Sequence, residues 1–390
     1  MDITLTAYME GQLQQTVSAF HRYMYDQISW QSRMFGLVGP RGVGKSTMIL
    51  QYIKEHCDGE RMFYVSADHM YFSAHSLVEL VDEFAKEGGG QIFIDEIHKY
   101  ENWSRELKQI YDTHPDVKVG FTGSSVLDIY KGQADLSRRA PIFMMQGLSF
   151  REYLMLFHQI EVPIYKLENI LEHQAIIPSV THPLPLFRDY LKRGYYPFSG
   201  ENDFELRLRQ VVNQTMEVDI PLYANMNSST GRKLKKLLAV IAQSVPFKPV
   251  MDSIASVIGV SRNVLPDYFL YMEQAGMIGQ LRNDTGGIRG VGKVEKVYLD
   301  NTSLAYLLGA DNTDIGNIRE TLFYNQIRVT ADVIASRACD FEIDGKTFEV
   351  GGKKKGKKQI FDVADGYVVK DDIEVGSGNI VPLWAFGLTY

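Results

Sequence analysis

Apolar and polar positions change period repeatedly along the first third of the chain. M-F-G-L-V-G, residues 34–39, is a short apolar run closed by glycine and predicts a buried strand. S-T-M-I-L-Q-Y-I-K-E-H follows at helical period. A second strand, R-M-F-Y-V-S-A at 61–67, precedes S-L-V-E-L-V-D-E-F-A-K-E at 76–87, whose apolar positions recur at helical spacing and stop at three glycines. Q-I-F-I-D-E-I-H-K-Y, 91–100, and V-K-V-G-F-T-G-S-S, 117–125, read as further buried strands around a helix near Trp103–His114. Buried strands alternating with helices predict a parallel α/β sheet. A last strand, A-P-I-F-M-M, leads into the capped helix start L-S-F-R-E-Y-L.

The pattern then changes. Residues 151–230 carry Leu and aromatic positions at helical spacing, with a stop at Gly194 and a turn at Pro197. They read as a helical lid or linker, the aromatics as core. An amphipathic helix at 231–245 precedes I-A-S-V-I-G-V-S, in which a glycine turn is followed by Ser261 as the cap of a new helix. Two strands, I-G-Q-L-R and E-K-V-Y-L-D, flank the glycine-rich N-D-T-G-G-I-R-G-V-G. Helix, turn, helix and hairpin together predict a winged helix over 231–305. Its second helix offers Arg262 and Asn263 but also Asp267 and Glu273, a poor surface for phosphates, so a protein contact is the better reading. From 306 to 390, a helix at 317–327 carries Glu320, and C-D-F-E-I-D-G-K-T-F-E-V-G predicts two strands before K-K-K-G-K-K at 353–358.

Candidate chemistry sits at the ends of the first strands. G-P-R-G-V-G-K-S, residues 39–46, lies between a strand and a helix, the context a phosphate-binding loop requires. Its glycines let successive backbone N–H groups face one anion, and the helix start adds its positive dipole end. Gly39, Pro40, Arg41, Gly42, Val43, Gly44, Lys45, Ser46 and Thr47 are the nucleotide-binding residues this predicts. Lys45 would reach the β- and γ-phosphates, and Ser46 would ligate Mg2+. Asp95 and Glu96 close an apolar strand, where a parallel sheet turns acids toward the phosphates: Asp95 to hold Mg2+, Glu96 to polarise water as a base. Thr122, Ser124 or Ser125 would contact the γ-phosphate or its water. Arg138 and Arg139 precede the last strand; the residues alone favour a solvated basic turn, and an arginine finger here would have to be presented by a neighbouring surface.

These stretches, G-P-R-G-V-G-K-S, I-F-I-D-E-I-H, F-T-G-S-S and L-S-R-R-A…G-L-S-F-R-E-Y-L, resemble the AAA+-type P-loop ATPases that carry a C-terminal nuclease-like module. The resemblance spans essentially the whole chain. It implies an ATPase domain over 1–150, ATP rather than GTP, and Thr122 and Ser124 at the sensor position. It places Arg139 at the arginine position, but Arg138 stands where the family has glycine, so either arginine remains a candidate. The order helix-Glu, strand-Asp, strand-Glu also resembles the PD-(D/E)XK nuclease core, with Glu320, Asp340 and Glu349 as acids. That motif expects a lysine two residues after the last acid. Gly351 stands there, and Lys353 is the nearest replacement. Nuclease activity is therefore not expected, although a Mg-dependent nuclease stays as an alternative.

Composition narrows the partners. Net charge is −7, which argues against a wholly basic nucleic-acid binder, yet six lysines between Lys346 and Lys358 make a local positive patch suited to phosphate backbones. A protein partner and a homo-oligomer are the other expectations. Cys57 and Cys339 have no metal-type spacing and fit a reducing compartment. No apolar run reaches the roughly 18–20 residues of a membrane span. A cytoplasmic protein is expected, either an ATP-driven switch or a nucleotide-gated scaffold with little turnover.

Overall fold

The computed structural model describes residues 1–57, 61–124, 136, 138–244, 248–283, 293–309, 314–356, 360, 363 and 365–390. Ser125, most of the hairpin's glycine-rich stretch (284–292) and Lys357 and Lys358 lie outside the described residues. The chain divides into two units, Met1–Gly147 and Leu148–Tyr390.

In the first unit, β1 (Met34–Val38), β2 (Met62–Ser66), β3 (Gln91–Asp95), β4 (Lys118–Gly123) and β5 (Ile142–Met144) form one sheet in the order β2-β3-β4-β1-β5. Every pairing is parallel. Helices α1 (Ile3–Gln15), α2 (Lys45–His56), α3 (Leu77–Lys86) and α4 (Trp103–Thr113) accompany the strands. A capping box explains where α3 begins: Ser76 Oγ accepts from Glu79 N while the Glu79 carboxylate accepts from Ser76 N. The strands are buried on both faces, as their unbroken apolar runs require. Two glycines make room for rings inside the sheet. A Cβ at Gly120 would meet Phe93 Cδ1 at 2.7 Å, and one at Gly36 would meet Phe121 at 2.6 Å.

β4 lies between β1 and β3, so three strand ends meet along one edge of this sheet. The phosphate-loop strand, the acid-bearing strand and the Thr/Ser-bearing strand thereby deliver their ends to one place.

In the second unit, the helices Phe150–His158, Leu167–Leu171 and Leu184–Arg193 come first. Phe204–Gln214 then runs through a π-turn at Thr215–Asp219 into Ile220–Tyr223. The helices Ser228–Ser244, Met251–Ile258 and Leu265–Gln274 precede an antiparallel pair, β6 (Ile278–Arg282) and β7 (Val294–Leu299). Gly259 ends the second of these helices at φ 71°, and Ser261 Oγ accepts from Asn263 N at the next turn. After the helices Thr302–Gly309 and Ile315–Ile327, five strands form a mixed sheet: β8 (Ile334–Ala335), β9 (Phe341–Ile343), β10 (Lys346–Gly351), β11 (Gly366–Lys370) and β12 (Ile380–Pro382), in the order β12-β11-β10-β9-β8. β9 and β10 join through Asp344-Gly345 with positive φ at both, the pairing that two-residue hairpins favour. Phe323 anchors the helix Ile315–Ile327 to this sheet, its ring centroid 5.0 Å from Phe341 and 5.4 Å from Phe348.

Candidate functional site

The loop after β1 is a cradle built from backbone. Gly39 (φ 154°), Gly42 (φ 77°) and Gly44 (φ 98°) carry the positive φ angles that let it curl. At Gly39 a Cβ would lie 2.1 Å from Met145 O, so a side chain there has no space. Lys45 is 5% exposed, and its Nζ donates to Gly39 O at 2.8 Å and Pro40 O at 2.9 Å. Burial pushes this amine down to about 8, with the Glu96 and Asp95 charges opposing the shift. Ser46 opens α2 half-buried, and Thr47 is exposed. Arg41 is half-buried on the loop and Val43 is fully buried beneath it.

The acid pair sits where β3 ends. Asp95 is 5% exposed; Tyr64 Oη donates to its Oδ2 at 2.7 Å, and Thr122 Oγ1 donates to its Oδ1. Burial, then the Asp95 charge, raises the Tyr64 phenol well above its ordinary range, so it remains a donor. The same Thr122 oxygen accepts from Glu96 N at 3.1 Å. Glu96 itself lies in the left-handed region at φ 51°, a conformation costing a non-glycine residue about 1–2 kcal/mol. Its carboxylate Oε2 accepts from Ser124 Oγ at 2.9 Å and lies 3.3 Å from His98 Nε2, with the His98 side chain 5% exposed. Two hydroxyls from one strand thus hold the two acids of the next.

Arg138 and Arg139 do not join this group. They precede β5, which runs parallel to β1 with Ile142 beside Gly36, so they lie at the strands' amino ends while the loop lies at the carboxyl ends. The five residues of β1 alone separate the two edges by about 16 Å. Arg138 is exposed. Arg139 donates to Asp112 at 3.2 Å, its guanidinium 5.7 Å from the Tyr111 ring.

Three residues of the site were not singled out in the sequence. Arg22, 5% exposed, donates from Nη1 to Val43 O and from Nη2 to Gln146 O at 2.7 Å, which pins the loop from behind. Tyr64 and His98 are the others. Of these, only His98 had a visible clue, lying two residues past the acid pair in D-E-I-H.

The second unit brings Glu320, Asp340 and Glu349 to one end of its sheet, with lysines among them. Lys296 Nζ donates to Glu320 Oε2 at 3.1 Å and Asp340 Oδ1 at 2.9 Å. Glu349 is 2% exposed and pairs through Oε1 with Lys355 Nζ. Lys353 is exposed, as is Lys354. Among the described residues, no group of three or more His, Cys, Asp and Glu side chains is arranged to hold a metal ion.

Residues 31–154 match the family model described as AAA domain. The first unit carries an AAA-type P-loop domain. A second family model, described as a domain of unknown function (DUF8612), matches residues 184–314. Among solved structures, AMPPCP-bound DnaA from Aquifex aeolicus is similar at 11% identity and TM-score 0.29, covering 70% of this chain and 89% of that one. The S. cerevisiae Hsp104–ADP complex is similar at 14% identity and TM-score 0.29, covering 70% of this chain and 38% of that one. No curated protein matches the chain. No helix among the described residues is long and apolar enough to cross a membrane.

Proposed function

We propose that the chain is an ATP-hydrolysing AAA+-type switch whose nucleotide state controls the output of residues 148–390. The meeting of Lys45, Asp95, Glu96, Thr122 and Ser124 around one glycine loop carries this reading. A buried ammonium now bonded to loop carbonyls suits a triphosphate, whose oxygens would replace them. The Ser46 hydroxyl and the Asp95 carboxylate suit Mg2+, an ion that keeps several waters and needs few protein ligands. When bound, Mg2+ would neutralise charge on the β- and γ-phosphates. Glu96 orients the attacking water and accepts its proton. Thr122 fixes the Glu96 backbone, and Ser124 senses the γ-phosphate. Arg138 or Arg139 serves a neighbouring subunit, because neither reaches its own loop, and this implies a homo-oligomer.

The output has two parts. The three helices and hairpin of 228–299 act as a winged helix with a protein partner. The lysine-rich segment 346–358 offers a phosphate-backbone contact, led by exposed Lys353 and Lys354. A second reading, a nucleotide-gated scaffold with slow turnover, draws on one observation: Ser124 and His98 already engage the Glu96 carboxylate.

Steady-state ATP hydrolysis with and without duplex DNA, across a salt series, tests the output. The rate should rise with DNA at low salt and lose that response as salt increases. Turnover indifferent to DNA would transfer the output to a protein partner. ATP binding with no turnover under any of these conditions would favour the scaffold.

A further inference from the structure

Lys296 joins Glu320 and Asp340, two of the acids that the nuclease resemblance names, and the surroundings of these acids do not fit a divalent cation. We propose that Lys296, carried on β7, occupies the cation position between Glu320 and Asp340, so that the C-terminal sheet is a closed, metal-independent module. Its ammonium lies 3.1 Å from one carboxylate and 2.9 Å from the other, with all three side chains at most 17% exposed. A divalent ion would need the same oxygens, and an adjacent fixed positive charge repels it. Further donors reach the same two carboxylates. Tyr298, two residues further on the same face of β7, donates to Glu320 Oε2 at 2.8 Å. Val350 N donates to Asp340 Oδ2 at 3.0 Å.

A second lysine takes one oxygen of the third acid, Glu349 Oε1, while its Oε2 is buried without a hydrogen-bond partner among the described residues. Lys355 pairs with Glu349, and its stem lies across Gly351, where a Cβ would meet Lys355 Cδ and Cγ at 2.7 Å each. Gly351 is the position at which the nuclease motif expects its lysine. The glycine there clears the path by which Lys355 reaches Glu349. The cluster also ties the β6–β7 hairpin to the helix Ile315–Ile327 and to the segment entering β9. Removing one partner of such a pair leaves a buried charge uncompensated.

The inference is independent of whether the P-loop turns over ATP. Its test uses the full chain without nucleotide: thermal unfolding with EDTA or with millimolar Mn2+, for wild type, Lys296→Ala and Lys296→Ala/Asp340→Asn. The wild-type midpoint should not move with Mn2+. Lys296→Ala should unfold several degrees lower, and Mn2+ should restore those degrees by taking the vacated position. The double variant should lose that response. Lys296→Ala that melts lower yet gains nothing from Mn2+ would overturn the assignment. Two measurements stand even if the Lys296 variant fails to fold, namely plasmid nicking by wild type and Mn2+ titration calorimetry of Asp95→Ala, which lacks the acid proposed to hold a cation at the P-loop. The proposal expects neither heat nor nicks, and nicking that Glu349→Gln abolishes would sink it.

Discussion

At the scale of single residues, the site depends on hydroxyls that hold acids. Thr122 bonds both the Asp95 carboxylate and the Glu96 backbone, and Ser124 and His98 bracket the Glu96 carboxylate. His98 is a positioning residue in this arrangement. His98→Ala should lower kcat about tenfold, the size of a misplaced general base, while KM and ATP affinity stay within about twofold. His98→Gln, which keeps a donor near Glu96, should recover most of the loss. Parallel losses of ATP affinity and thermal stability would show a packing role instead. The phosphate loop and the acid pair were legible because both are short, contiguous motifs set in an alternating strand and helix pattern. Arg22, Tyr64 and Lys296 were not legible, because each acts on residues at least 20 positions away in sequence and no local spacing marks them. The move from Lys353 to Lys355 escaped for a related reason. Which lysine turns inward depends on the space over Gly351, and spacing alone does not carry that information.

At the scale of elements, the first sheet depends on glycine facing phenylalanine. Gly120 sits against Phe93 and Phe35, and Gly36 against Phe121 and Ile142. Gly120→Ala should destabilise the domain by about 1–3 kcal/mol through overpacking, read as a lower urea midpoint with an unchanged m-value. An unchanged midpoint would mean that the rings give way freely. Strand β4 carries both this packing and Thr122, so the variant should also slow ATP turnover. The parallel strands were legible from their apolar runs, and the helix starts from their capping residues. The later sheet was only half legible. Its hairpin shows as F-E-I-D-G-K-T-F-E-V, whereas β8, β11 and β12 are short strands of two to five residues without a distinctive alternation.

For the whole molecule, the proposed finger role of Arg138 or Arg139, at the strands' amino ends, predicts that catalysis needs a second copy. Arg138→Ala/Arg139→Ala and Glu96→Gln should each be inactive alone. Mixed, they should regain turnover, because a Glu96→Gln subunit lends its arginines to a neighbour whose Glu96 is intact. The two single arginine variants then identify which of the pair acts. A mixture that stays inactive, or a double arginine variant with wild-type turnover, would remove the finger from the account. This proposed oligomer dependence was raised by the arginine pair and strengthened by the family resemblance. The physical ground for it, the distance between the two sheet edges, needed the strand directions.

In the proposed mechanism, one loop and one acid pair make an ATPase. Phosphate release by wild type, Glu96→Gln and Lys45→Ala, with ATP binding measured alongside, tests it most directly. Wild type should turn over, Glu96→Gln should bind ATP at least as tightly while losing turnover about a hundredfold or more, and Lys45→Ala should lose binding. Turnover in Glu96→Gln equal to that of wild type would contradict the account.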